Sequence, residues 1–333
     1  MKDTGYHCLD CGYNLTGAPG PRCPECGWLI DLARLDPLVA KYGPEGATFS
    51  TDFVARLDPS RIDACWDPRD RADAPAVEAM IEEAWSACLA EAERTGMRLY
   101  NGPMAGLIGW SSRPDGGFKL DAGPTDYRRF MGTNVCNGHR LAEIGADAFA
   151  NPLGISALVN TADGRLVLGR RVDALAVQGG WLHPIGGTVE PRDVTGDGKL
   201  DLFGAIRREL DEELGVAEGD IAELVCTGMI RDCRLGQPEL EFDVVLTLTA
   251  DEVQARYDPD DAEQEHASLV MCHDEPEEIA PFIAREYPIT PIAVGALLLH
   301  GRHDWGLDWY ESTCYTIFGE LPPKTASLVG PSG

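Results

Sequence analysis

The chain has 333 residues, 44% hydrophobic and 25% charged, the composition of a globular protein long enough for more than one core. Its 55 acids against 28 bases give a formal net charge of −27, a field that repels phosphodiester backbones and argues against nucleic acid as a partner. No apolar run reaches the roughly 18–20 residues of a membrane span, and the N-terminus carries paired cysteines rather than a signal-peptide pattern.

Residues 1–32 contain "CLDCGYNLTGAPGPRCPECG", which pairs Cys8 with Cys11 and Cys23 with Cys26. Each Cys-x-x-Cys turns two sulfurs toward one point, and two such knuckles complete a tetrahedron around zinc. The expectation is a structural zinc ribbon whose folding energy, on the order of 10 kcal/mol, comes from the metal. It has no open ligand position, so its expected role is docking an unidentified protein partner. The other seven cysteines (Cys65, Cys88, Cys136, Cys226, Cys233, Cys272, Cys314) are scattered, mostly among apolar neighbours. That distribution suits free thiols in a reducing compartment, and a cytoplasmic location is expected.

A linker (33–50) leads into an N-terminal α/β domain (51–150). In "PAVEAMIEEAWSACLAEAERTG", Val77, Ile81, Trp85, Cys88 and Leu89 recur at helical spacing and stop before Gly96. Strand-like runs follow at "MRLYNG", "AGLIGWSS" and "GGFKLDAG". A second domain is expected over 151–320. It opens with "LGISALVNTADGRLVLGRR", two apolar strands joined at a turn. Strands "CTGMIRD" and "LEFDVVLTLTADEVQARY", the latter running into a helix, and a closing helix "PITPIAVGALLLHGR" complete it. Residues 321–333 are expected to be a loose tail.

The chemistry concentrates in "RRELDEELGV", residues 207–216. On a wheel of about 100° per residue, Phe203, Ile206, Leu210 and Leu214 form one apolar stripe. Glu209, Glu212 and Glu213 share an arc at its border, whereas Asp211 lies on the far side. Three carboxylates crowded at the edge of a core repel one another unless a cation neutralises them, and hard divalent ions with oxygen ligands do so. Arg208, one turn before Glu212, is placed to hold that carboxylate.

"RELDEELGV" together with the upstream "VNTADGRLVLGRR" and "GGWLHPIGG" resembles the box of Nudix hydrolases. That resemblance implies an α/β/α sandwich with a mixed sheet, magnesium or manganese on the box glutamates, and cleavage of nucleoside diphosphates linked to another moiety. Twenty residues separate Gly187 from Arg208, seven more than that box allows. The early glutamate of the box is therefore displaced, and Glu190 is the candidate additional metal ligand. The inserted "DVTGDGKLD" also looks like half a calcium loop, but position twelve is Gly204 where such loops need a bidentate acid, so a solvated acidic loop is expected.

Upstream, "TDYRRFMGTN" and "GADAFANPLGISALVNTADG" resemble the animal Nudix UDP-glucose pyrophosphatase family, in order over roughly residues 51–300. The resemblance implies a nucleotide-sugar substrate, most simply UDP-glucose split to UMP and glucose 1-phosphate. Arg208, Glu209, Glu212 and Glu213 are then the catalytic set, with Gly186 and Gly187 beside the substrate. Glu213 itself, Glu241 and Glu265 are candidate bases, and Arg171 and Arg231 candidate phosphate ligands. Tyr127 and Asn134 are candidates for nucleoside or sugar contacts. ADP-ribose or NADH hydrolysis, or a non-catalytic nucleotide sensor signalling through the ribbon, are the competing readings.

Overall fold

The computed structural model describes residues 49–322 apart from 71–72, 98, 234, 260–264, 287 and 320. The expected zinc ribbon with Cys8, Cys11, Cys23 and Cys26, and the tail from residue 323, lie outside the described residues.

The predicted hairpin lies within the larger sheet. β5 (Gly154–Asn160) and β6 (Arg165–Arg171) pair antiparallel around a turn closed by Gly164 at φ 72°. β10 (Pro238–Leu246) lies parallel to β5 and antiparallel to β9 (Ile221–Asp232), and β11 (His266–His273) closes the β6 edge. Short β7 (Leu182–His183) adds to β6, and β8 (Ile185–Thr188) adds to β5. The other edge is β1 (Phe49–Leu57), antiparallel to β9. A smaller sheet holds β2 (Ile62–Trp66), β4 (Phe118–Asp126) and β3 (Pro103–Ser112), with β2 parallel and β3 antiparallel to β4.

Helix α1 (Pro75–Thr95) starts at a proline and ends at Gly96 in the left-handed region. Short α2 (Tyr127–Phe130) continues as a wide turn over Met131–Val135, and α3 (Leu141–Ile144) follows. α4 (Leu202–Leu214) is the glutamate-bearing helix, capped by the Asp201 side chain on the Gly204 N–H at 2.8 Å and stopped by left-handed Gly215. Beyond it run α5 (Ala250–Arg256), α6 (Pro276–Arg285), α7 (Pro291–Asp304) and α8 (Leu307–Phe318).

The sheet is a filling between two helical layers. Ile206, Leu210 and Leu214 of α4 pack with Ile155, Ala157 and Phe242 on one face. Leu158, Leu166 and Leu168 pack on the other face with α6 and α7 through Phe282, Leu297 and Leu298. The architecture is thus the expected α/β/α sandwich around a mixed sheet. Each fully buried leucine or phenylalanine contributes about 1.5–3 kcal/mol.

The segment before residue 150 shares that core. Leu57, Leu107, Phe118 and Leu120 belong to the same apolar cluster as Ile155 and Leu210, and Phe53 stacks on Phe118 at 4.5 Å. The division expected at residue 150 therefore crosses continuous packing, because β1 pairs within the larger sheet.

Local expectations failed in three places. "MRLYNG" forms no strand among its described residues: Tyr100 is 79% exposed, and the Asn101 side chain accepts the Arg128 N–H at 2.8 Å, turning the chain instead. Leu89, placed in the buried stripe of α1, is 43% exposed, and Met80 is buried instead. Helices α6 and α8 had no counterpart in the sequence reading, and α6 has Pro281 in its interior, which reads as a breaker.

Candidate active site

α4 lays its apolar stripe on the sheet and so presses the adjacent glutamates against β8. Glu209 and Glu213 are buried, whereas Glu212 points outward with its side chain 52% exposed. The Gly-Gly pair of β8 has a steric reason. A Cβ on Gly186 would stand 2.1 Å from the Ile155 carbonyl of β5, and one on Gly187 would stand 2.7 Å from the Glu209 carboxyl carbon. The Gly186 N–H donates to Glu213 Oε2 at 3.0 Å.

Arg208 ties the acids together. Its Nη1 lies 2.6 Å from Glu209 Oε1 and 3.3 Å from Glu212 Oε2, and Nη2 lies 3.5 Å from both Asp193 oxygens. Asp193, the sixth residue after Gly187, is thus the early acid that reaches the box arginine. Glu190 does not: its carboxylate pairs with Arg192 at 3.0 Å, and its backbone N–H donates to the Asp193 carboxylate at 2.8 Å.

The seven extra residues fall after Asp193 and form a hairpin strut. Thr195 N–H donates to Lys199 O, Leu200 N–H to Ala64 O, and Trp66 N–H to Gly198 O, so the insert extends the edge of β2. Lys199 pairs with Asp63 and lies 3.2 Å from the Cys65 sulfur. The tip of this loop, residues 195–198, is exposed as a solvated loop would be, while its base is docked on β2 and two flanking acids are occupied, Asp193 by Arg208 and Asp201 by the α4 cap.

Burial sets the protonation of the buried pair. Desolvation pushes the Glu209 carboxyl up to about 7 against the pull of Arg208, and it raises Glu213 well above the ordinary carboxylate range, with Glu265 and Glu209 adding repulsion. Glu265, just before β11, therefore sits in the field of both box glutamates, and Arg171 faces it at 3.5 Å. Glu241 does not reach this place. It alternates with Leu240 and Phe242, which pack on the α4 side, so its buried side chain faces the α7 side together with Asp243, a partner of His300.

His266 went unnoticed in the sequence except as a neighbour of Glu265. Its buried ring has Nδ1 3.6 Å from Glu213 Oε1 and covers Gly169, where a Cβ would meet the ring at 2.1 Å. Burial and then the Arg171 charge push it down to about 3, so it stays neutral.

The remaining candidates divide by position. Arg231 is committed to buried Asp52 of β1 at 2.8–3.0 Å and to Gly236 O at 3.1 Å, which leaves it no free fork for phosphate. Asn134 is fully buried: its Nδ2 donates to Leu235 O at 2.8 Å and its Oδ1 accepts from Thr133 and Asn151. Tyr127 packs edge-on against Trp85 at 6.4 Å, and burial raises its hydroxyl to about 12 in the field of Arg171 and Glu265. It is the only one of these three whose surroundings include the site.

The donor set fits a hard divalent cation. Glu209 and Glu213 are desolvated carboxyls with raised affinity for protons, and Arg208 alone among the described residues bonds to Glu209, so a magnesium or manganese ion held with Glu212 would neutralise what one arginine cannot. A second cluster, Asp243, His300 and Asp304, is already compensated: against burial, His300 is held protonated by Asp243 and Asp274, and Arg56 reaches within 4.0 Å of Asp243 and 3.8 Å of Asp304.

Residues 150–291 match the family model described as the NUDIX domain. With the sandwich and its glutamate-bearing helix, that match over residues 150–291 indicates an enzyme of the Nudix pyrophosphohydrolase class. Among curated proteins, the chain is similar to the uridine diphosphate glucose pyrophosphatase NUDT22 of Mus musculus, 28% identical over 216 residues, covering 58% of this chain and 70% of that protein. The Homo sapiens protein of that name is 27% identical over 55% of this chain and 68% of its own length, and the Bos taurus protein 28% identical over 61% and 79%. No helix among the described residues is long and apolar enough to cross a membrane.

Proposed function

We propose that this chain is a divalent-metal-dependent pyrophosphohydrolase of nucleotide sugars, which splits UDP-glucose or a close UDP-sugar into UMP and a sugar 1-phosphate. The observation that carries the reading is the box geometry: Glu209 and Glu213 buried against Gly186 and Gly187, Glu212 outward, and Arg208 bridging Asp193, Glu209 and Glu212. The similarity to UDP-glucose pyrophosphatases, over more than half the chain, supports the substrate class.

A diphosphate bridge meets a protein of net charge −27, so substrate binding without a counter-cation is repulsive. Magnesium or manganese held by Glu209, Glu212 and Glu213 would supply charge neutralisation and an acidified water. The chain's own residues do the rest. Arg208 orients the Glu209 and Glu212 carboxylates, and the Gly186 N–H holds Glu213. Glu265 accepts the proton of the attacking water, and Arg171 beside it steers the diphosphate.

The test is turnover by purified protein with magnesium, offered UDP-glucose, other UDP-sugars, ADP-ribose and NADH. UMP from a UDP-sugar is expected. AMP from either adenine substrate with no UMP from any UDP-sugar would overturn the substrate class, and no product from any of them would favour a sensor.

A further inference from the structure

Helix α1 and the wide turn after Phe130 meet unusually closely: a Cβ on Gly132 would stand 2.8 Å from the Ile81 Cα. Beside this contact lies a cavity of about 510 Å³ lined by Met80, Cys88, Met97, Met131 and Cys136 among others. Cys88 comes from α1 and Cys136 from the end of the turn. Their Sγ atoms are 3.9 Å apart although 48 residues separate them in sequence. Both are free thiols; Cys136 is exposed and Cys88 half-buried.

We propose that Cys88 and Cys136 form a redox-modifiable dithiol, whose closure to a disulfide clamps α1 to the segment that carries Tyr127. The existing links across this junction include the Gly132–Ile81 packing, the Trp85–Tyr127 edge contact, the buried pair of Arg129 with Asp73 just before α1, and ion pairs of Arg128 with Glu78 at 2.6 Å and Glu82 at 3.2 Å. A covalent link adds to these contacts by restricting the unfolded chain between the two cysteines.

The oxidant is a small-molecule disulfide such as oxidised glutathione. The exposed Cys136 thiolate attacks one of its sulfurs, forming a mixed disulfide and expelling one small thiolate. Cys88 gives up its proton to that thiolate and attacks the Cys136 sulfur, forming the Cys88–Cys136 bond and expelling a second small thiolate, which takes up from water the proton that Cys136 released on ionising. Two protein thiols are oxidised as one small disulfide is reduced to two thiols. Burial first, and then the neighbouring Cys136 thiol, push Cys88 up to about 11, so Cys136 is the group that meets the oxidant.

The experiment treats the reduced full-length chain with oxidised glutathione, digests it without reductant and identifies linked peptides by mass spectrometry, with the thermal midpoint measured before and after. The expected result is a Cys88–Cys136 peptide pair and a raised midpoint, both reversed by dithiothreitol. Cys88→Ser should keep glutathione on Cys136, and Cys136→Ser should form no link. Oxidised protein in which only other cysteines are linked or capped would overturn the pair, and a linked peptide with no midpoint change would overturn the clamp. The wild-type readout stands whether or not either serine variant folds.

Discussion

Gly187, Glu209, Glu212 and Glu213 divide the labour of the box by depth. Gly187 leaves room for the Glu209 carboxyl, Glu213 lies buried on the Gly186 N–H, and Glu212 faces outward on the Arg208 tether. Glu212→Gln and Glu213→Gln should each lower kcat by at least about 100-fold while leaving the far-ultraviolet circular dichroism spectrum unchanged; near-full turnover by both would dismiss the metal-site reading. Two of the three candidate bases, Glu265 and Glu241, are separated by the sheet itself. Glu265→Gln should cost about 100- to 10,000-fold in kcat, whereas Glu241→Gln, on the α7 face, should leave kcat as it is. Steady-state kinetics on the two variants decide the assignment, and the reverse order would sink it.

At the scale of elements, two junctions carry charge where the sequence showed only letters. β1 is fastened to β9 by Asp52 and Arg231, and the Asp52 side chain is wholly buried. Arg231→Met leaves that carboxylate unpaired and should lower unfolding stability by about 3–5 kcal/mol in urea titrations, with turnover at low temperature retained. On the other face, His300 of α7 faces Asp243 of β10, Asp274 after β11 and Asp304 of its own helix, with Arg56 of β1 nearby and Trp305 edge-on to its ring. Its carboxylate partners outweigh burial and hold it up to about 10, above its ordinary 6.5. A group raised in this way stabilises the fold fully below about pH 6.5 and loses that contribution as pH rises through about 10. Thermal midpoints should therefore decline across that window, and His300→Gln should flatten the decline.

At the scale of the molecule, the catalytic segment and the residues before it are one packed body. Leu57, Leu107, Phe118 and Leu120 share a cluster with Ile155 and Leu210, and β1 is the edge strand of the larger sheet. A fragment starting at residue 150 should therefore lack a cooperative thermal transition, whereas one starting at residue 49 should keep it; calorimetry on both distinguishes them. The insert works at this scale too. Twenty residues between Gly187 and Arg208 looked like a displaced glutamate, yet the chain keeps Asp193 in reach of Arg208 and loops the surplus out to β2. Spacing along a chain could not tell these apart, because the loop closes at Asp201 N–H on Asp193 O.

By itself the sequence determined whatever depends on neighbours a few residues away. The 3.6-residue period placed the apolar stripe of α4 and set Glu209 and Glu213 at its border, the hairpin turn located β5 and β6, and the order of the box carried the enzyme class. Tertiary structure decided what depends on strands brought together from far apart. It put Glu265 and His266 beside Glu213 from the start of β11, turned Glu241 to the opposite face, committed Arg231 to Asp52 and Asn134 to buried hydrogen bonds, and brought the Cys88 sulfur within 3.9 Å of that of Cys136. The reason is physical: helix and hairpin signals are local periodicities, but the side of a sheet on which a strand residue falls depends on register, and register is set by partners distant in the chain.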